Sequence, residues 1–196
     1  FILCALISFS ISGQAQSSYF PGGQRYVIHL YSQHQMNAIT PNGSHIVLED
    51  GSIWEVFPDF YNCNEVMQWN SSQNITITPN YEIGTLWKFR IHNLSRGTVI
   101  YAQVSPSADI LHSYDVHNYN ARFIVQSDPI SGTVCLDNQT LWQVPFSESY
   151  VLYQWKVGDR VAIGSNNSSR SLLNYSCILI NFTNDAFNYI LAHPLN

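Results

Sequence analysis

An internal repeat constrains this chain more than any other feature. Residues 46–56 (IVLEDGSIWEV) match residues 134–144 (VCLDNQTLWQV) without a gap, and upstream Pro41 falls on Pro129. Downstream, Gln68 and Trp69 fall on Gln154 and Trp155 after a loop two residues shorter in the second copy. Ile75 and Ile77 pair with Val161 and Ile163, and Asn80 with Asn166. Residues 89–93 (FRIHN) then meet 177–181 (CILIN), Trp87 meets Tyr175, and Tyr101 is aligned with Tyr189. Four of the five tryptophans thus occupy paired positions. A duplication of this kind requires each copy to be one supersecondary unit, closed on itself or stacked on its twin.

The pattern within each copy is that of short strands. Ile46 and Leu48 alternate with Val47 and Glu49 before Asp50-Gly51, a dipeptide whose residues both tolerate positive φ and so favour a hairpin. Trp54 and Val56 alternate with Glu55, and Ile75 and Ile77 flank Thr76. Trp87, Phe89 and Ile91 alternate with Lys88, Arg90 and His92, the clearest half-buried strand of the chain. Val99, Tyr101 and Gln103 form a last strand. A strand preceding each copy is suggested by the similarity of residues 25–28 (RYVI) to 122–125 (RFIV). Charged residues make up 11% of the chain, well under the usual ~25%, while aromatics reach 14%. Helix surfaces are normally covered with Glu, Lys and Arg, so composition agrees with strands. The expected fold is all-β: two tandem small β-barrels (SH3-like) or compact sandwiches, each of five or six strands. Residues 16–104 form module one, 105–121 a polar linker and 122–196 module two.

One strand distinguishes the copies. Arg90 and His92 become Ile178 and Ile180, so a face read as solvated in copy one is apolar in copy two. An exposed isoleucine pair is a liability. The Ile178/Ile180 face is therefore expected to pack on copy one, on the linker or on another subunit.

Residues 1–12 are apolar and are followed by small residues ending at Ala15, as in the core and cleavage site of a secretory signal. Residues 1–15 are read as a truncated signal peptide, and the protein as exported. The run is too short to span a bilayer. With a formal net charge of −5 and no basic stripe, phosphate contacts lack the clustered cations they need, so nucleic acid is not an expected partner. Cys63, Cys135 and Cys177 follow the apolar run, an odd number that describes no disulfide framework. Burial as small hydrophobes suits Cys135 and Cys177, and a bridge between them is the alternative in an exported protein.

Few residues suggest chemistry. Trp54, Trp69, Trp142 and Trp155 read as large core residues, and as exposed platforms they would instead be binding residues that stack on sugar rings or a peptide. His112, Asp115 and His117 lie within six residues and form a candidate metal clip, although their spacing matches no established motif. His29 and His34 are ambiguous, and the acidic Asp50 and Asp137 positions are explained by turn chemistry. No catalytic thiol signature, phosphate loop or nucleophile elbow occurs, and no cofactor is expected.

Residues 48–54 (LEDGSIW), the run Trp155-x-x-Gly158-Asp159-x-Val161-x-Ile163 and the Asn93/Asn181 strand ends together resemble uncharacterised exported proteins of chlamydiae and their environmental relatives. The second copy departs from that pattern at Asn138-Gln139, where Asp-Gly is expected. The resemblance implies a bacterial envelope or secreted protein and brings no catalytic residues. The function expected is a non-enzymatic binding or structural role toward a protein or glycan, with an oligomer conceivable. The alternative is a hydrolase of cell-wall or surface polymers.

Overall fold

A computed structural model describes residues 16–19, 25–28, 30–71, 73–82, 84–105, 121–168, 175–183 and 189–195. Strands β1 (Gln16–Tyr19) and β2 (Arg25–Ile28) pair with each other in a small antiparallel sheet. The repeat folds as two closed, six-stranded antiparallel barrels. Barrel one contains β3 (His34–Ile39), β4 (His45–Leu48), β5 (Ile53–Val56), β6 (Asn74–Pro79), β7 (Phe89–Asn93) and β8 (Thr98–Val104), in the order β3-β4-β5-β8-β7-β6. Barrel two contains β9 (Arg122–Asp128), β10 (Thr133–Leu136), β11 (Leu141–Gln143), β12 (Arg160–Ser165), β13 (Cys177–Asn181) and β14 (Tyr189–Leu195), joined in the same order. Closure leaves no open sheet edge in either copy. Among the described residues no helix is long and apolar enough to cross a membrane.

The registers confirm the repeat from β4 to β7. Ile46 faces Trp54 across β4–β5, and Val134 faces Trp142 across β10–β11. Ile75 faces Asn93, and Val161 faces Asn181. Both copies carry a β-bulge at the same place, between Met36 and Ala38 on β3 and opposite the Cys135–Leu136 step on β10. A bulge increases local twist and bends the strand, which helps so short a sheet to close.

Two alignments are corrected by these registers. The strand equivalent to β9 is β3, not β2, because His34 pairs with Ile75 just as Arg122 pairs with Val161. The likeness of residues 25–28 to 122–125 is a coincidence of composition. In the last strand Ile91 faces Ile100 while Leu179 faces Ile190. The counterpart of Tyr101 is therefore Leu191, and the hairpin before β14 is two residues longer than that before β8.

The repeated motif has a local cause. Asp50 Oδ1 accepts from the Ser52 N–H (2.8 Å) and hydroxyl (2.6 Å), and Ser52 Oγ accepts from the Trp54 indole N–H at 2.7 Å. Asn138 Oδ1, Thr140 and Trp142 repeat this relay at 3.2, 2.7 and 2.8 Å. The turn side chain thus fixes a hydroxyl, and the hydroxyl satisfies the buried indole N–H, which would otherwise be an expensive orphan. Gly51 takes φ 74° at the tip, and Gln139 takes φ 66° at the matching position, so the turn is retained despite the sequence change. A left-handed glutamine is strained where glycine is not. Gln139→Gly is expected to stabilise the chain by about 0.5–1 kcal/mol, the relief being partly offset by unfolded-state entropy. A urea midpoint that fell instead would contradict this account of the turn.

Between β5 and β6 the chain forms helix α1 (Phe60–Val66), capped by Asp59 Oδ1 accepting from the Asn62 N–H at 2.7 Å. Copy two, two residues shorter, closes the same gap with a 3-10 turn at Ser149–Tyr153.

The two barrels pack on each other through the outer face of copy two. Ala162, Ile178, Ile180 and Leu191 belong to the same buried apolar cluster as Trp54, Ile75, Ile77 and Phe89 of barrel one, and the Tyr189 ring meets Phe89 edge-on at 5.5 Å. A Cβ on Gly164 would lie 2.7 Å from the Ile77 carbonyl oxygen. Glycine there lets β12 approach β6, where copy one has Thr78. Ser165 Oγ bonds both Ser32 Oγ (2.6 Å) and Thr76 Oγ1 (3.1 Å) within this interface. Of the three fates open to the Ile178/Ile180 face, packing on copy one is the one found. The matching face of copy one is not simply solvated either: His92 is buried and bonded to Thr78 at 2.9 Å.

Candidate functional site

The four paired tryptophans are interior. Trp54 and Trp142 are 0% exposed, and Trp69 and Trp155 are buried, so none offers a ring face to a ligand. Trp69 donates to Glu65 at 2.9 Å, whereas the Trp155 indole N–H has no partner because Val151 stands where copy one has Glu65. Cys135 and Cys177 are both free thiols, as is Cys63. The bridge considered for the first two does not form. Cys177 points into barrel two, whereas Cys135 lies on the face opposite the inward Val134 and Leu136. Burial pushes the Cys177 thiol up to about 12, against a smaller opposing effect of Ser176, so it is inert. His112, Asp115 and His117 lie outside the described residues, as does His29. The amides of Asn93, Asn166 and Asn181, each in an Asn-x-Ser/Thr sequence, donate to Gln73, the Tyr175 carbonyl and Asp159 inside the fold. Their side chains serve the barrels' turns.

Two clefts remain. The first, of about 260 Å³, lies between the barrels and is lined by His34, Glu49, Asp50, Arg122, Val161 and Ile163 among others. His34 Nδ1 donates to Glu49 Oε1 at 3.1 Å and lies 3.5 Å from Asp50 Oδ2. Its Nε2 donates across the barrel boundary to the Ile163 carbonyl at 2.8 Å. Burial alone lowers the His34 pKa. The Glu49 hydrogen bond, the Asp50 and Glu49 charges and the Ile163 carbonyl overcome it and hold the pKa at about 9. Burial also raises Asp50, while His34 draws Glu49 below its ordinary value against the opposing effect of burial. An imidazolium with both N–H groups donated has no lone pair to receive a proton, so His34 is not placed as a general base. Together with Arg160, which donates to the Asp50 carbonyl oxygen at 3.3 Å, it holds the barrels together.

His34 and His92 make opposite predictions for stability. The charge on His34 stabilises the fold fully below pH 6.5, and that contribution is lost as pH rises toward about 9. Burial, with Arg90 adding to it, depresses His92 to about 4. The unfolded chain therefore takes up this proton first, and stability is lost as pH falls from 6.5 toward 4. Urea melts are expected to show a maximum near pH 6.5, falling by up to about 3 kcal/mol on each side. His34→Gln should remove the alkaline limb. An alkaline limb unchanged in that variant would refute the assignment.

The second cleft, of about 220 Å³, opens on the wall of barrel one and is lined by Phe57, Glu82, Thr85, Trp87 and Tyr101. Trp87 was expected to continue the inward alternation of β7. It lies instead outside that strand, half-buried, with its ring edge-on to Phe57 at 5.2 Å. The loop that carries it is fixed by Asn80, whose amide donates to the Trp87 carbonyl at 2.9 Å, and by Thr85, which accepts from the Trp87 N–H at 3.1 Å. Tyr101 donates to Glu82 Oε1 at 3.1 Å, and Arg90 pairs with the same oxygen while lying over the Tyr101 ring at 5.4 Å.

The chain matches no protein-family model, no curated protein and no solved structure. Copy two serves as an internal control. There Pro145, Tyr175 and Leu191 replace Phe57, Trp87 and Tyr101, and Leu191 is buried against barrel one. One wall of the ancestral barrel is thus an interface in copy two and an aromatic cleft in copy one. Sequence reasoning concentrated on the four paired tryptophans and missed the cleft. The available signal was Trp87, the fifth tryptophan and the one without a tryptophan partner.

Proposed function

We propose that this chain is a non-enzymatic binding protein exported to a bacterial cell envelope or exterior, with copy two as scaffold and copy one as the binding module. The observation that supports this reading most is the unequal use of one wall, covered by aliphatic packing in copy two and lined by half-buried aromatics in copy one. Rings held edge-on to one another beside a hydrogen-bonded loop suit recognition, because little freedom is lost on binding. The exported, envelope setting rests on the apolar residues 1–12 and on the resemblance carried by the Asp-Gly-Ser-x-Trp module.

A second reading, a hydrolase of a wall or surface polymer, draws on the inter-barrel cleft. His34 and Asp50 there correspond to Arg122 and Asn138, so copy two lacks the same set. The commitment of both His34 nitrogens weighs against it. One experiment separates the readings: incubate the chain with envelope fractions, then measure both its retention and the release of soluble fragments. Retention without release supports the binding reading. Release that disappears in Asp50→Asn establishes the hydrolase.

A further inference from the structure

We infer that the cleft formed by Phe57, Trp87 and Tyr101 takes one ring of a neutral saccharide; this rests on the binding reading above and names its ligand class. Three features select that chemistry. The cleft is about 220 Å³, smaller than the ~300–1,000 Å³ typical of drug-sized ligands and suited to a single ring. Its lining residues combine three aromatic rings with polar groups, those of Thr85 and Glu82 and the polar ends of Trp87 and Tyr101. Both donors and acceptors are therefore present, as hydroxyl groups require, since each hydroxyl donates and accepts. Glu82 Oε1 already receives Arg90 and Tyr101, which leaves Oε2 as the acceptor for a ligand hydroxyl.

The charge balance excludes the other ligand that aromatic walls commonly take. A cationic ammonium group is drawn to ring faces backed by an unpaired carboxylate. Here the Arg90 guanidinium lies over Tyr101 and neutralises Glu82, so a second cation would meet a positive charge beside the site. A sugar ring meets none, and its C–H face can lie on Trp87 or Phe57 while its hydroxyls reach the rim.

The burial pattern also supplies the probe. Trp54, Trp69, Trp142 and Trp155 are buried, so a ligand-induced change in tryptophan fluorescence reports Trp87. The full chain is titrated with tetrasaccharides of glucose, N-acetylglucosamine, mannose and galactose, with a lysine-rich and a proline-rich peptide as comparators. A saturable response to at least one saccharide is expected, with Kd in the range of about 1 mM for a single-ring site. Affinity for that saccharide should weaken about tenfold or more in Phe57→Ala and about threefold in Glu82→Gln, with melting temperatures unchanged. In Trp87→Ala the fluorescence response should vanish, and calorimetry should show the same weakening.

Silence toward every saccharide up to roughly 10 mM, or a saccharide affinity indifferent to Phe57→Ala and Trp87→Ala, overturns the inference. A response to either peptide without one to any saccharide also overturns it, while leaving a binding function in place. Release of reducing ends from a bound saccharide would keep the ligand class and overturn the non-enzymatic reading instead.

Discussion

Ile180→Lys is expected to cost about 3–5 kcal/mol, the penalty of an uncompensated charge in a dry interior. The side chain is fully buried, yet it projects from the outside of barrel two into the cluster shared with barrel one. The damage should therefore fall on the contact between barrels more than on either barrel's own core. Urea unfolding, expected as one transition in the native chain, should broaden or divide into two as the barrels lose their coupling. Ile180→Val, which removes one methylene and no more, should cost about 1 kcal/mol and keep the single transition. The hydrodynamic size of the native chain should not depend on concentration through this face, because the face is covered within the chain. An Ile180→Lys variant that unfolds in one step at the native midpoint would remove the interface from the account.

Trp54→Ala and Trp142→Ala should each cost about 3–5 kcal/mol, the range for truncating a large buried aromatic. The two costs should be similar, since both indoles are fully buried and both end the same turn-to-hydroxyl relay. Within that relay the hydroxyl is separable from the ring. Ser52→Ala leaves the Trp54 N–H without its acceptor and should cost about 1–3 kcal/mol, whereas Thr140→Ser keeps the oxygen and should be nearly neutral. The same variants, read by chemical denaturation, decide whether the repeated tryptophans serve folding. A Trp142→Ala protein as stable as the native chain would point to another role for them.

Much of this fold was legible because duplication doubles the signal. The Trp54/Trp142 and Asn93/Asn181 pairs fixed where β5, β7, β11 and β13 run, and their registers agree. The errors have physical sources. Tyr101 aligns with Tyr189 in sequence because two identical residues outweigh an unseen change in loop length, and only pairing with β7 and β13 reveals the slip. Residues 25–28 resemble β9 by composition alone, while β3 carries the equivalent pairing without the similarity. Continuing the alternation past the end of β7 places Trp87 inward, and periodicity cannot mark where a strand stops. His34, Glu49 and Asp50 gave no signal as a group, since their meeting depends on the pairing of β3 with β4, and the Ile163 carbonyl joins them only through the docking of the barrels. Asp50 makes the turn as expected, whereas Asp137 accepts from the Phe123 N–H of the neighbouring strand and Asn138 makes the turn of copy two.

The central claim is that one wall of a duplicated barrel has two fates, covered in copy two and open in copy one. Hydroxyl-radical footprinting, normalised to the unfolded chain residue by residue, tests it most directly. The account predicts strong modification of Trp87 and Tyr101 and strong protection of their counterpart face at Ile178, Ile180 and Leu191. Equal modification of Tyr101 and Leu191 would contradict it, because the two positions would then share one environment and the copies would not have diverged in use.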